Sequence, residues 1–141
     1  DVSIKALNVA RENAKSFNVE VHFLESDLLK TAPPVDYTQF DLIISNPPYI
    51  PESEILITDA NVKDFEPHLA LFVTGNDPLL FYNRIAEESS MFLKIGGICV
   101  VEINRSFGKK VCSIFEQAGF ENIEVFKDMS GNERFVKAIK T

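Results

Sequence analysis

The stretch Asp41-Leu42-Ile43-Ile44-Ser45-Asn46-Pro47-Pro48-Tyr49 decides how the rest of the chain is read. Its opening is a short, uninterrupted apolar run, which reads as a strand buried on both faces, as in a parallel sheet. The run ends abruptly. Asn46 precedes a proline and Pro47 precedes another, so both are pushed toward extended backbone, and both prolines have a fixed φ and no N–H. The result is a stiff corner at the carboxyl end of a strand, the place where open α/β sheets bind ligands. It presents a side-chain amide, bare carbonyls and the flat ring of Tyr49, groups suited to holding a planar polar partner.

Working outward, residues 1–17 carry Ile4, Leu7, Ala10, Ala14 and Phe17 at helical spacing, with Asp1 or Ser3 as N-cap and Asn18 as the stop. Glu20–Leu24 alternates, with Val21 and Phe23 on one face, and reads as a short strand. Thr31–Gln39, with Pro33-Pro34, reads as a loop. Ile50–Gly75 has no clear period but keeps Ile55, Ile57, Phe65, Leu69, Leu71 and Phe72, the mark of an ordered, functional loop. Asp77-Pro78 starts a helix whose apolar face is Tyr82, Ile85, Ala86, Phe92 and Leu93, ended by Gly96-Gly97. Ile98–Ile103 is a second buried strand. A helix from Ser106 or Phe107 to Ala118 is stopped by Gly119. Ile123–Lys127 and Arg134–Ile139 form an antiparallel hairpin around Asp128–Glu133. Strands alternating with helices predict an α/β fold with a mainly parallel sheet, in one domain over residues 1–141.

The composition is that of a globular domain, with 45% hydrophobic and 25% charged residues. A formal charge of −7 argues against direct binding of nucleic acid, which needs a basic face. No apolar run has the length of a membrane span, and no signal peptide opens the chain. Cys99 and Cys112 read as buried free thiols of a reduced, cytoplasmic protein. With no CxxC spacing, and with His22 and His68 lacking partners at ligand spacing, no metal site is expected.

Three segments together carry a resemblance: the strand ending in Asn46-Pro47-Pro48-Tyr49, then Phe65-Glu66-Pro67, then Gly131-Asn132-Glu133-Arg134 in the terminal hairpin. They resemble the protein-glutamine N5-methyltransferases, the PrmC/HemK family, over nearly the whole chain. The resemblance implies a class I, Rossmann-like methyltransferase sheet that uses S-adenosyl-L-methionine. It also implies transfer of a methyl to the Gly-Gly-Gln glutamine of peptide chain release factors in the cytoplasm. The family has a Gly-rich cofactor loop after its first strand, whereas no glycine precedes Gly75 in this sequence. The chain therefore reads as the carboxyl-terminal part of the catalytic domain, beginning where the family's second strand ends. Two consequences are expected. Residues 1–141 should bind S-adenosylhomocysteine weakly in calorimetry, and the edge of the Asp41–Ser45 strand should be covered either by the Glu20–Leu24 strand or by a second copy of the chain.

By resemblance, Asn46 and Pro47 are the catalytic residues, whose side-chain oxygen and carbonyl accept the two N–H groups of the amide. Pro48 and Tyr49 complete the substrate corner. Asp1 matches the acid that accepts the ribose hydroxyls, or is a plain N-cap. Asp27 and Leu28 match the loop beside the adenine, or cap that loop, and Asn46 also borders the cofactor. Glu66 and Glu102 are each either site residues or structural carboxylates, while Asn132 and Arg134 read as hairpin structure. Two other functions stay open: an amino-methyltransferase acting on adenine or guanine in nucleic acid, favoured by the bare Asn-Pro-Pro-Tyr motif, and a non-catalytic, self-associating α/β module.

Overall fold

The computed structural model describes residues 1–30, 40–51, 67–73 and 77–141. The loop read at 31–39 and most of the one at 50–75, with Phe65, Glu66 and Gly75, lie outside the described residues. The chain divides into two compact units, Asp1–Asp36 and Tyr37–Thr141. Among the described residues no helix is long and apolar enough to cross a membrane.

The first unit is built on α1 (Ile4–Ser16). Ser3 is its N-cap, its hydroxyl accepting the Ala6 N–H at 3.2 Å, and Asp1 accepts the Ser3 N–H at 2.7 Å. Asn18 ends the helix in the left-handed region, at φ 52°. The stretch Glu20–Leu24 is not a strand. A strand exists through its ladder, and this segment is held by isolated bonds only: the Asp1 nitrogen to Leu24 O at 3.1 Å and Ser26 N–H to Asp1 O at 3.1 Å. Period-two alternation without a paired edge leaves Val21 49% exposed, while Phe23 is half-buried beneath the Arg11 guanidinium, 5.7 Å away. With no strand at 20–24, that arm of the edge-covering expectation fails.

The second unit is a four-stranded mixed sheet, β1 (Phe40–Ser45), β4 (Leu93–Glu102), β6 (Glu133–Lys140) and β5 (Phe120–Lys127), in that spatial order. β1 runs parallel to β4, and the β5–β6 hairpin supplies the antiparallel side. The helices α3 (Leu80–Phe92) and α4 (Gly108–Gln117) pack on this sheet. The face beneath them holds Cys99, Val101, Val136 and Ala138, each fully buried, with Tyr82, Ile85, Val111 and Phe115 descending from the helices. Ser89 Oγ of α3 lies 3.4 Å from Cys99 Sγ, and Phe115 of α4 meets Phe120 edge-on at 5.2 Å. A shorter parallel pair, β2 (Ile50–Pro51) with β3 (Phe72–Val73), follows the corner, and α2 (His68–Leu71) leads into β3.

Three expectations are corrected by this architecture. β1 is not buried on both faces: it ends the sheet, and Leu42 and Ile44 are 49% and 70% exposed, whereas Ile43 and Ser45, which face the helices, are half-buried. An apolar run reports strand character and not the number of covered faces; the strand buried by its neighbours is β4. Gly96-Gly97 does not end a helix either. α3 stops at Phe92, and the glycines form a bulge inside β4, where the register jumps from Phe40↔Leu93 to Leu42↔Ile98. Gly96 takes φ +79°, and a Cβ on Gly97 would come within 2.8 Å of Lys94 O and 3.1 Å of Phe40 O. Similarly, Asp77-Pro78 opens a turn rather than the helix itself: Asp77 accepts the Leu79 N–H at 2.9 Å, and α3 begins at Leu80. Both thiols are free, Cys99 buried and Cys112 half-buried.

Candidate functional site

The corner Asn46–Tyr49 joins the end of β1 to the start of β2. β4 holds one side through the Ser45↔Val101 pairing, and β3 holds the other through Ile50↔Phe72. Four residues are therefore suspended between two paired strands, two of them prolines with fixed φ. Asn46 is exposed, Pro47 is buried, and Pro48 and Tyr49 are half-buried. The corner thus offers the Asn46 amide to solvent on a backbone with little freedom to recoil.

Tyr49 is fixed at its far end. Its hydroxyl donates to Glu102 Oε1 at 3.0 Å, where β4 ends. The backbone there is pinned twice: the buried Tyr82 hydroxyl donates to Glu102 O at 3.2 Å, and the Ile103 N–H donates to Arg134 O at 2.9 Å. Arg134 Nη1 lies 3.8 Å from Glu102 Oε1, and its Nη2 lies 3.3 Å from Asp128 Oδ2. Burial, then the Glu102 hydrogen bond and charge, pushes the Tyr49 phenol above its ordinary value of 10.0, with Arg134 partly offsetting. Tyr49 therefore remains a protonated donor at neutral pH.

The hairpin turn explains much of Gly131-Asn132-Glu133-Arg134. Asp128 Oδ1 accepts the N–H groups of Ser130 at 2.9 Å and Asn132 at 3.0 Å, and Gly131 supplies φ +82°. The Asn132 N–H, helped by Arg134 and the Ser130 N–H, holds the Asp128 carboxyl below its ordinary value, with burial partly offsetting. The Glu133 carboxylate lies against Gly108, the first residue of α4, where a Cβ would collide with it. Between the turn and the corner is a cavity of about 230 Å³ lined by Tyr49, Asn104, Arg105, Asn132 and Arg134.

The remaining candidates lie in the first unit. Asp1 bonds through its backbone to Leu24 and Ser26, which brings it beside the turn at Asp27 and Leu28. One carboxylate oxygen of Asp1 caps Ser3. Asp27 accepts the Leu29 N–H at 3.0 Å and pairs with Lys30 at 2.9 Å; the Lys30 hydrogen bond, then that of Leu29, holds its carboxyl below the ordinary range. The structure thus brings Asp1, Asp27 and Leu28 together in one unit and Asn46, Pro47, Pro48 and Tyr49 together in the other. Sequence reading left Glu102 undecided and did not single out Asp128 or Tyr82. The one visible signal was an acid three residues before a glycine in a hairpin turn, which marks an Asx-type turn.

The α/β fold that carries this corner is shared with solved methyltransferases. A methyltransferase from Pyrococcus furiosus superposes with a TM-score of 0.69 at 18% identity, over 99% of this chain and 60% of that one. Residues 1–69 match the family described as Methyltransferase small domain. More particularly, the sequence is similar to the release factor glutamine methyltransferases of Bacteroides thetaiotaomicron, 40% identical over 98% of this chain and 49% of that protein, and of Flavobacterium psychrophilum, 43% identical over 97% and 47%. The resemblance read from the sequence motifs is borne out, and the chain spans about half the length of the curated relatives it matches.

Proposed function

We propose that residues 1–141 belong to the catalytic domain of an enzyme that transfers a methyl from S-adenosyl-L-methionine to the side-chain nitrogen of a glutamine in a peptide chain release factor. The observation that carries this reading is the Asn46-Pro47-Pro48-Tyr49 corner, clamped between two paired strands, in a chain whose relatives at 40% and 43% identity are named for that activity.

S-adenosyl-L-methionine, when bound, supplies an electrophilic methyl on a sulfonium sulfur. Asp1 would hold its ribose, since a carboxylate suits a diol and Asp1 spends one oxygen on Ser3, and the turn at Asp27 and Leu28 would border its adenine. The acceptor nitrogen is a weak nucleophile because its lone pair is delocalised into the carbonyl. The Asn46 side-chain oxygen and the Pro47 carbonyl each take one N–H, which orients the nitrogen and localises its lone pair toward the methyl. Tyr49 covers the planar amide. With the nitrogen so held by Asn46 and Pro47, the cofactor would supply its methyl to the lone pair, and the surplus proton would leave the nitrogen for solvent. Catalysis is then chiefly positional, an effect worth roughly 7–11 kcal/mol where attack geometry is fully held.

A second copy of the chain is the further partner in this reading. Among the described residues β1 has one ladder partner, and its Leu42 and Ile44 are exposed. The deciding experiment for the catalytic reading is mass spectrometry of a release factor incubated with the enzyme and S-adenosyl-L-methionine. One methyl on a single glutamine is the expected product; an unmodified glutamine, or methylated adenine or guanine in its place, refutes the reading.

A further inference from the structure

The hairpin turn is closed without the Arg134 side chain. Asp128 N–H donates to Asn132 O at 2.9 Å, Gly131 N–H donates to Asp128 O at 3.0 Å, and Asp128 Oδ1 takes two more N–H groups. The β5–β6 ladder then continues from Lys127↔Glu133. The Arg134 guanidinium instead leaves the hairpin and bridges Asp128 to Glu102, whose Oε1 receives the Tyr49 hydroxyl. Glu102 and Arg134 stand on paired strands, Glu102 opposite Phe135. Tyr49, which Glu102 reaches, lies with the rest of the corner, Asn46–Pro48, outside any strand. Rigidity therefore passes from the hairpin to the corner. The Glu102 carboxylate is about a quarter exposed and has solvent to turn toward; the Arg134 charge faces it at 3.8 Å.

We propose that Arg134, anchored by Asp128, is a positioning residue: it aims Glu102 at the Tyr49 hydroxyl and so fixes the ring beside the acceptor corner. The glycine-containing turn of the hairpin is then a working part of the acceptor site. As far as catalysis goes, this rests on the proposed function; as far as ring position goes, it does not.

The test uses both readouts. The first is carbon-13 tyrosine NMR of the chain, whose three tyrosines are assigned with Tyr49→Phe. Arg134→Met should shift and broaden the Tyr49 signal and leave Tyr82 in place, and Arg134→Lys should restore part of the shift. Asp128→Asn keeps an oxygen for the turn, loses the charge and should give a milder form of the same change, so it serves if Arg134→Met fails to fold. The second readout is methyl transfer by the enzyme. Arg134→Met should raise the KM for the release factor about tenfold while the KM for S-adenosyl-L-methionine stays within about twofold. Combined with Glu102→Gln it should cost little more than either change alone. An unmoved Tyr49 signal in folded Arg134→Met, or equal losses in both KM values, overturns the proposal. A signal that moves in an enzyme that never methylates a release factor supports the link to Tyr49 and refutes only the catalytic reading.

Discussion

Gly97→Ala tests whether the bulge in β4 sets the position of β1, and through it the corner. The added Cβ would lie 2.8 Å from Lys94 O, 3.1 Å from Phe40 O and 3.1 Å from Leu93 Cδ2. Two of these neighbours are backbone carbonyls that cannot rotate away, and one of them belongs to β1. Overpacking of this kind costs about 1–3 kcal/mol, and the backbone neighbours place it in the upper half. Alanine returns about 0.4–1 kcal/mol by restricting the unfolded chain. The net expectation is a loss of about 1–2.6 kcal/mol. Gly119→Ala is the control: its φ is +85° but nothing lies within 4 Å, so it carries backbone strain alone. Urea unfolding followed by circular dichroism gives the free energies, and amide exchange shows where they act. In Gly97→Ala the amides of β1 should lose protection ahead of those of β5 and β6; in Gly119→Ala they should not. A change below about 0.5 kcal/mol with β1 exchange unaltered would refute the close approach on which the argument stands.

Cys99 makes stability fall in alkali. Burial, partly offset by the Ser89 hydroxyl, pushes its thiol from 9.0 up to about 11. The unfolded chain therefore releases this proton first, and the contribution, complete below pH 9, is lost as pH rises toward 11; two units correspond to about 2.7 kcal/mol. Urea midpoints at pH 8 and pH 10.5 should show the fall, and Cys99→Ala should reduce it. Asn46→Ala should lower kcat/KM for release factor methylation about 100-fold with the fold intact, by analogy with the loss of one positioned hydrogen-bonding group; a change under about threefold would remove Asn46 from the mechanism. Ile44→Lys should abolish self-association in sedimentation velocity, and a parent chain that stays monomeric at high concentration would refute pairing along β1.

What could be read from sequence was what local chemistry decides. Helix ends at Asn18 and Gly119, the β5–β6 hairpin and the strand before Asn46 all follow from residues acting on their own backbone, and the structure has each of them. What could not be read depended on neighbours. Glu20–Leu24 alternates like a strand, yet it lacks the ladder that would make it one. Leu42-Ile43-Ile44 reads as covered on both faces, yet Leu42 and Ile44 are exposed. Gly96-Gly97 stops nothing, because the chain turns from helix to strand before reaching it. The same division runs through the site. The corner was visible as a motif, but the partner of Tyr49 lies 53 positions away at Glu102, and no local pattern encodes that contact.

The corner also carries its own selectivity, on the proposed reading. Pro47 and Pro48 have no N–H, so two consecutive backbone donors are absent where a substrate would meet the chain. Such a surface is rich in acceptors and favours a partner that brings N–H groups. A carboxamide brings two on one nitrogen, whereas an ionised carboxylate brings none and would face carbonyl oxygens without compensation. A chain with a formal charge of −7 disfavours the phosphate backbone in the same way. The donor count therefore favours the glutamine of a protein over a carboxylate, and only the charge counts against a base carried on a phosphate backbone. Replacing that glutamine by glutamate in the acceptor should abolish methyl transfer, whereas a site that worked by activating an oxygen nucleophile would methylate the acid.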